Sequence, residues 1–556
     1  MTAAVDELAR VVVDTAAAAG ATAEQWASLE WRLDHLYWIV DKQAQAVRFT
    51  LNDQQRRLVR SLWYRNLVVK ARQLGISTLV QLIALDQTWT RQHHQTAVIA
   101  DTLPNAGKLL GKIEFAYAHL PELLREAYPV ARREVGSLLT IAHTDSDGRP
   151  ANSTISVSVS SRGGTVNLLH VSELGKISLK FPDRAEEIKT GAIPSVPPDG
   201  VIVIESTAEG QFGLLWDLAE PAIKRWHAKA PETRLDWRLH FFPWYEAPEY
   251  TLPPEEVTIV EVPAKLTAYF RKLEVELGVK LSPGQRAWYA KTSEDLAGKM
   301  KQEYPSTPEE AFEGAVEGSI YGEQMTWLRE QGRLAIVPLD PTHPVNTFWD
   351  FGTGKTNSIW FHQQIGVQHR WFYYVSGASL DEDGKAIKSL SFWWLEVLEK
   401  HRHRHGYSWG KHVLPHDADA EILGQVSTTK HRILRELGMG VGEGGTIVVV
   451  PRVATIFDGI EITRKAMVGN HWFDRRKPDA AKGEDMGAGH GIACLDGYQF
   501  AWNDKYGTWD RGLPVHNWAS HGADAWRQFA QMPDGSTFLH TSTSLTAFKA
   551  RKRRGI

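Results

Sequence analysis

The chain has 556 residues, 43% hydrophobic and 23% charged, enough for two or three domains that each bury a core. A formal net charge of −3 and a pI near 6.8 exclude a global basic field, so any nucleic-acid contact must come from local patches. The lone cysteine, Cys494, excludes an intramolecular disulfide and a thiolate-rich zinc site, and fits a reducing cytosol. Asp6 and Glu7 ahead of the first apolar run are wrong for a secretory signal. No apolar stretch is long enough to span a bilayer, so a soluble protein without a membrane partner is expected.

Residues 1–48 are Ala-rich, and Leu29, Leu33, Leu36 and Ile39 recur at helical spacing, which predicts a helical N-terminal region. Strands and helices then alternate. LVV (67–69), TAVIAD (96–101), TVNLLHV (165–171) and VIVIE (201–205) read as apolar strands, and TLVQLIALDQTWT as the helix after the first. Continuous apolar strands separated by helices predict an α/β domain over 49–255, with a parallel sheet covered on both faces. PSVPPDG (194–200) is a loop, FFPWYEAPEYTLPPEE (241–256) a connector, and 256–340 a helical lid or linker. From 341 to 540 a second α/β domain begins with three strands at hairpin spacing, TFWDFG, SIWFHQQ and RWFYYVSG. A basic tail occupies 541–556.

Residues 68–78, VVKARQLGIST, form a strand–turn–helix with the ingredients of a phosphate-binding loop. The common loop is G-x-x-x-x-G-K-[ST]; here Ile76 holds the lysine's place and Lys70 opens the loop. Its ammonium can still reach the β/γ-phosphates of ATP. Gly75 lets the backbone approach an anion, helix-start amides cradle it, and Ser77 can hold Mg²⁺. Plain strand-to-helix punctuation is the bland alternative. Three further segments add to it. LLHVSELG (168–175) ends a strand in Ser172-Glu173, and ATPases need a strand-end carboxylate to orient the attacking water. VIVIESTAEG (201–210) ends in Ser206-Thr207, hydroxyls suited to sensing a γ-phosphate or simply to capping a helix. Gln55, ahead of the loop strand, carries an amide that can read adenine. Arg72 is a candidate for γ-phosphate charge stabilisation, with a structural ion pair as its rival role.

The order of the glutamine, KARQLGIST, HVSE and ESTAEG resembles the large terminase subunit of tailed bacteriophages, over residues of about 49–530. HFFPWYEAPEY and QEYPSTPEEAF also look like segments of that family. The resemblance implies a P-loop NTPase domain followed by a ribonuclease-H-like nuclease domain. It makes Lys70, Ala71, Arg72, Gln73, Gly75, Ser77 and Thr78 the ATP- and Mg²⁺-contacting loop, Glu173 the catalytic carboxylate and Ser206-Thr207 the coupling motif.

In the second half, Asp350 ends TFWDFG, Asp417 follows the strand expected in HVLPHD (412–417), and Asp524 sits near a helix start in SHGADAWRQF. Two-metal phosphodiester cleavage needs carboxylates converging from separate elements, and oxygen ligands favour Mg²⁺ or Mn²⁺. The resemblance assigns Asp350, Asp417 and Asp524 to that centre. His521, three residues before Asp524, shares its helical face. Asp419, Asp485 and His416 are weaker candidates, and GTGKTN (352–357) lacks the further carboxylate that many family members carry. KHRHRHG (400–406) reads as a basic DNA-facing loop or solvated face, with no metal role in the terminase order.

The resemblance implies a motor that drives double-stranded DNA into a prohead and cuts concatemers. Its partners are the portal protein, a small terminase subunit and further copies in a ring, in the host cytoplasm and transiently on the prohead. Arg132-Arg133 or the tail are local basic groups for DNA. A helicase-nuclease of repair or restriction, and a nuclease with an inactive ATPase domain (suggested by Ile76 and Ser172), remain as alternatives.

Overall fold

A computed structural model describes residues 21–160, 163–296, 299–313, 318–351, 357–377, 379–380, 386–387, 390–419, 429–477, 485–503, 505 and 508–532. The first twenty residues, most of GTGKTN and the basic tail lie outside the described residues. The chain forms two compact units, Met1–Gly314 and Ala315–Ile556. Their division falls inside the stretch expected as a lid: Phe270, Tyr289 and Met300 pack into the first unit's core, while Ile320 and Tyr321 pack into the second's.

In the first unit, helices Ala23–Ala27 and Leu29–Leu36 bury Trp26, Leu33 and Leu36. The second helix stops at Leu36, where Tyr37 turns extended and its hydroxyl donates to buried Asp86 at 2.8 Å. Ile39 therefore lies in a short strand, Trp38–Val40, and not on the helical face its spacing suggested. Arg32 forks onto the same Asp86 with two bonds of 2.8 Å, which fastens this segment to the sheet's covering helix.

The main sheet has eight strands: β1 (Arg65–Lys70), β2 (Gln95–Ile99), β3 (Val130–Glu134), β4 (Leu138–Ile141), β5 (Ser153–Ser158), β6 (Leu168–Ser172), β7 (Val201–Ser206) and β8 (Arg238–Phe242). Their spatial order is β8-β1-β7-β6-β2-β5-β4-β3, parallel from β8 to β5, with the β4–β3 hairpin added antiparallel at one edge. The apolar runs follow from burial on both faces. Val68 of β1 feeds one core, while Leu67 and Val69 feed the other; β7 divides in the same way, Val203 against Ile202 and Ile204. Each such side chain contributes about 1.5–3 kcal/mol of transfer free energy. Helices α1 (Asp53–Arg60), α2 (Ile76–Thr90), α3 (Leu103–Ala118), α4 (Leu174–Lys180), α5 (Gly213–Ala228), α6 (Ala264–Leu277), α7 (Pro283–Leu296) and α8 (Met300–Glu303) complete the elements used below.

The second unit is built on a seven-stranded sheet. Its strands are β9 (Leu334–Ala335), β10 (Val345–Phe351), β11 (Asn357–Ile365), β12 (Gln368–Gly377), β13 (Trp409–Leu414), β14 (Thr446–Val449) and β15 (His471–Asp474), ordered β9-β15-β12-β11-β10-β13-β14. β10, β11 and β12 form an antiparallel meander, and β13 and β14 lie parallel to β10 on its other side. The meander is the one that the hairpin spacing of TFWDFG, SIWFHQQ and RWFYYVSG predicted. Alternation sends Phe348, Trp360 and Trp371 to one core and Trp349, Phe361 and Phe372 to the other. Helix α9 (Lys400–His405) continues a π-helical stretch, Phe392–Glu399; α10 (Gly489–Gly497) and α11 (Trp518–Ala530) follow. The Trp360 indole donates to the Gly522 carbonyl at 2.8 Å, pinning α11 to the sheet.

Candidate nucleotide and metal sites

β1 runs into α2 through residues 71–75, and the turn is made possible by Gly75, whose φ of +71° lies in the left-handed region. A Cβ there would also stand 2.6 Å from Gln55 Nε2. Helix α2 has 15 residues, and its first amides have no intrahelical acceptor. Lys70, at the end of β1, is buried, and its Nζ lies 3.0 Å from Glu205 Oε2.

Glu205 is the centre of this region and the residue that sequence reasoning passed over. It is fully buried near the end of β7, the strand directly beside β1. The strand that leads to Glu173 is β6, one further across. Glu205 Oε1 accepts from Ser77 Oγ at 2.6 Å and from Ser172 Oγ at 2.8 Å. His170 Nε2 lies 3.6 Å from the same oxygen, while its Nδ1 meets the Gln81 amide at 2.7 Å. Burial works against ionising Glu205, but Lys70, His170 and Ser77 hold its carboxyl well below the usual glutamate range. Burial likewise opposes the Lys70 ammonium, and Glu205 with Glu173 outweighs it, raising that pKa. Both groups are therefore charged at neutral pH. Removing one partner of such a pair strands the other, at a cost of about 3–5 kcal/mol.

Glu173 occupies the β6–α4 elbow in a left-handed conformation, φ +60° and ψ +44°, which is uncommon for a residue with a Cβ. Its amide donates to the Glu205 carbonyl at 2.8 Å, and its carboxylate pairs with Lys176 at 2.9 Å. Backbone strain of this kind collects at functional sites and needs surrounding structure to hold it. Ser206 Oγ accepts from the Gly175 amide at 3.0 Å and donates to the Thr207 carbonyl at 2.6 Å. Gly175 is required there, because a Cβ would lie 2.6 Å from that carbonyl oxygen. Thr207 is buried, and its hydroxyl has no hydrogen-bond partner among the described residues.

The remaining loop residues have other attachments. Gln55 caps α1: its Oε1 accepts from the Asn52 amide and its Nε2 donates to the Gly75 carbonyl, both at 3.0 Å. Its side-chain amide thereby braces the loop. Arg72 pairs with Glu303 of α8, one bond measuring 2.9 Å, and its carbonyl accepts from the Tyr250 hydroxyl. Ala71 donates to Phe242 of β8 at 3.0 Å, and Gln73 is left-handed at φ +58°. Thr78 Oγ1 accepts from Lys112 of α3 at 3.0 Å, bringing a second lysine to the loop. A buried ammonium, a hydroxyl, free helix-start amides and a glycine turn form a donor set that suits a polyphosphate with its metal.

In the second unit, Asp350 near the end of β10 and Asp524 on α11 belong to one cluster. His521 Nδ1 lies 3.2 Å from Asp350 Oδ2, and Arg527 pairs with Asp524 at 3.0 Å. Burial, reinforced by Asp350, pushes the Asp524 carboxyl up to about 6. The hydrogen bond that His521 donates to the Asp350 carboxylate raises the His521 pKa in turn. Asp417 lies beyond β13 in a short 3₁₀ turn, His416–Asp419, and not at the end of an extended strand. Its carboxylate is held by Lys430 at 2.8 Å, and Asp419 meets His431 at 3.1 Å. The three aspartates are not a group at metal-ligand spacing among the described residues. Arg132 and Arg133 on exposed β3 are paired with Glu134 and Glu114, the latter at 2.7 Å.

No family model and no curated protein sequence matches the chain. Among solved structures it is similar to the large terminase ATPase domain of Thermus phage P74-26, at 16% identity over 46% of this chain and 94% of that one, TM-score 0.32. It is also similar to the large terminase of bacteriophage HK97, at 11% identity over 90% and 98%, TM-score 0.40. A third is the large terminase of thermophilic bacteriophage D6E in complex with ATP-gamma-S, at 12% identity over 86% and 98%, TM-score 0.27. The likeness is distant, and the residue geometry above stands independently of it. These three solved structures, to which the chain is similar, are bacteriophage large terminases or their ATPase domain.

Proposed function

We propose that this chain is a large terminase subunit, an ATP-driven motor that moves double-stranded DNA into a prohead and carries a nuclease in its second unit. One observation carries the motor reading: Lys70, Ser77 and Ser172, from three separate elements, meet on buried Glu205 beneath the Gly75 turn. ATP supplies the phosphoanhydride bond. Lys70 offers the phosphates its ammonium, the amides at the start of α2 cradle them, and Ser77 would hold Mg²⁺, which would neutralise charge on the phosphates. Glu205 keeps lysine and serine oriented when no anion competes for them. Glu173 on its strained elbow orients the attacking water and accepts its proton. Ser206 and Thr207 at the end of β7 relay the state of the site. The packaging partners are the portal protein, a small terminase subunit and other copies of the chain in a ring, meeting in the host cytoplasm.

Steady-state ATP turnover by the purified chain with Mg²⁺ tests the motor reading. Turnover is expected, and it should be lost in Lys70→Ala; a chain that binds DNA without hydrolysing ATP is the inactive-ATPase alternative. The nuclease reading rests on Asp350, His521 and Asp524. Asp417, held by Lys430, does not fit a three-carboxylate ligand set as it stands. Mn²⁺-dependent plasmid cleavage should disappear in Asp350→Asn while ATP turnover persists. Cleavage that survives this change removes Asp350 from the nuclease centre.

A further inference from the structure

The basic run KHRHRHG contains a pair of histidines whose surroundings are neither loop-like nor solvated. His401 and His405 stand four residues apart on α9, so they share one helical face, and their ring centroids are 4.5 Å apart. His401 is buried, stacked on Tyr373 at a centroid distance of 4.5 Å and an interplanar angle of 8°. Asp485, which leads toward α10, faces both rings. His405 Nε2 lies 3.0 Å from Asp485 Oδ1, and His401 Nε2 lies 3.2 Å from the Asp485 carbonyl. One ligand atom from each of the three side chains falls within 4.8 Å of the others, the described group of metal-ligating residues that does so.

We propose that His401, His405 and Asp485 form a binding site for a divalent transition ion of the Zn²⁺ class, separate from the aspartate cluster. Two imidazoles and one carboxylate make a ligand set that suits zinc far better than Mg²⁺. Three protein ligands leave one coordination position for water. The surrounding contacts are those that orient ligands. His401 Nδ1 lies 2.9 Å from the Tyr407 hydroxyl, a contact that fixes the orientation of the ring. Arg404 Nη1 lies 3.0 Å from Asp485 Oδ2, which fixes the carboxylate and leaves Oδ1 toward the histidines. A bound ion ties α9 to the segment after Asp485, where Gly487 exchanges backbone bonds of 3.0 and 3.2 Å with β12. The site thereby clips a helix to the sheet face it covers.

The test is a Zn²⁺ titration of the chelator-treated full chain against a chromophoric competitor, with the stoichiometry read by native mass spectrometry. The expected result is one ion in the wild type and one ion in Asp350→Asn, which separates this site from the aspartate cluster. His405→Gln and Asp485→Asn, both at partly exposed positions, should each weaken binding by more than about 100-fold, beyond the loss typical of a residue that only orients a ligand. Circular dichroism checks that both variants keep the wild-type fold. Binding that is absent, that vanishes in Asp350→Asn, or that is unchanged in both folded variants overturns the proposal and leaves an ordinary histidine–aspartate ion pair.

Discussion

The polar groups around Glu205 and the aspartates of the second unit differ in how completely the fold has assembled them. Glu205 is fully buried, and Lys70, Ser77 and Ser172 already meet it within 3.0 Å. In the second unit Asp350 and Asp524 share a neighbourhood, yet Asp417 is partly exposed and turned to Lys430. Burial explains the contrast. A charge taken out of water must find partners at once or destabilise the fold, so the first site is rigid without its ligand. An aspartate that keeps one side in solvent has no such compulsion and can rest on any nearby cation. The Glu205 cluster is thus assembled by the protein alone, whereas the proposed three-carboxylate centre would need Asp417 to leave Lys430.

Changes that separate these two cases follow in order of size. Glu173→Gln should lower ATP turnover by about 10²–10⁴-fold, the scale of a lost general base, while a fluorescent ATP analogue still binds. Turnover at the wild-type rate takes Glu173 out of the chemistry. Glu205→Ala should destabilise the first unit by about 3–5 kcal/mol in urea unfolding, because the buried Lys70 ammonium is left without a partner. A loss below 1 kcal/mol means that water replaces the carboxylate and the site is not rigid.

Glu209 supplies a pH signature for the first unit. Burial first, and then Glu303, push its carboxyl up from 4.5 to about 7. Below pH 4.5 the group is protonated in both the folded and unfolded chains, and its contribution is fully present. Between pH 4.5 and 7 the unfolded chain ionises first, so stability falls as pH rises, by up to about 3 kcal/mol. Glu209→Gln should flatten that slope, and an unchanged slope assigns it to other groups. The smallest effect is expected at Lys430→Ala. Its pair with Asp417 is partly exposed, so stability should move by about 0–1 kcal/mol. If cleavage by the second unit needs Asp417 released, Mn²⁺-dependent cutting should persist or rise in this variant, and its abolition makes Lys430 a participant.

Much of this architecture was legible from the apolar runs. β1, β2, β6 and β7 are covered on both faces, so their sequences show unbroken hydrophobic stretches and their positions could be read directly. The β3–β4 hairpin was not legible, since every residue of β3 is exposed and VARRE carries no burial pattern. β8, RLHFF, was not recognised as a strand, because its last two residues, Phe241 and Phe242, read as the start of the proline- and aromatic-rich connector. The loop was recognisable from Gly75, Ser77 and Lys70, but their convergence on Glu205 was not: Ser77 and Glu205 lie 128 residues apart, and strand order decides whether they meet. One signal was available. A glutamate inside VIVIE, in a strand otherwise fully apolar, had to be buried and therefore had to be paired. The same distance problem hid the pairing of Asp485 with His405, 80 residues before it, so that KHRHRHG looked like a DNA-facing loop or a solvated face.

The central claim is that Lys70 is the phosphate-binding lysine although it opens the turn rather than closing it. Equilibrium titration of a fluorescent ATP analogue into the wild type and into Lys70→Ala, with Mg²⁺ present, tests it most directly. Loss of one charged hydrogen-bonding group of about 1.5–3 kcal/mol predicts affinity weaker by about 10–100-fold in the variant. Equal affinity in a folded Lys70→Ala chain would contradict the account.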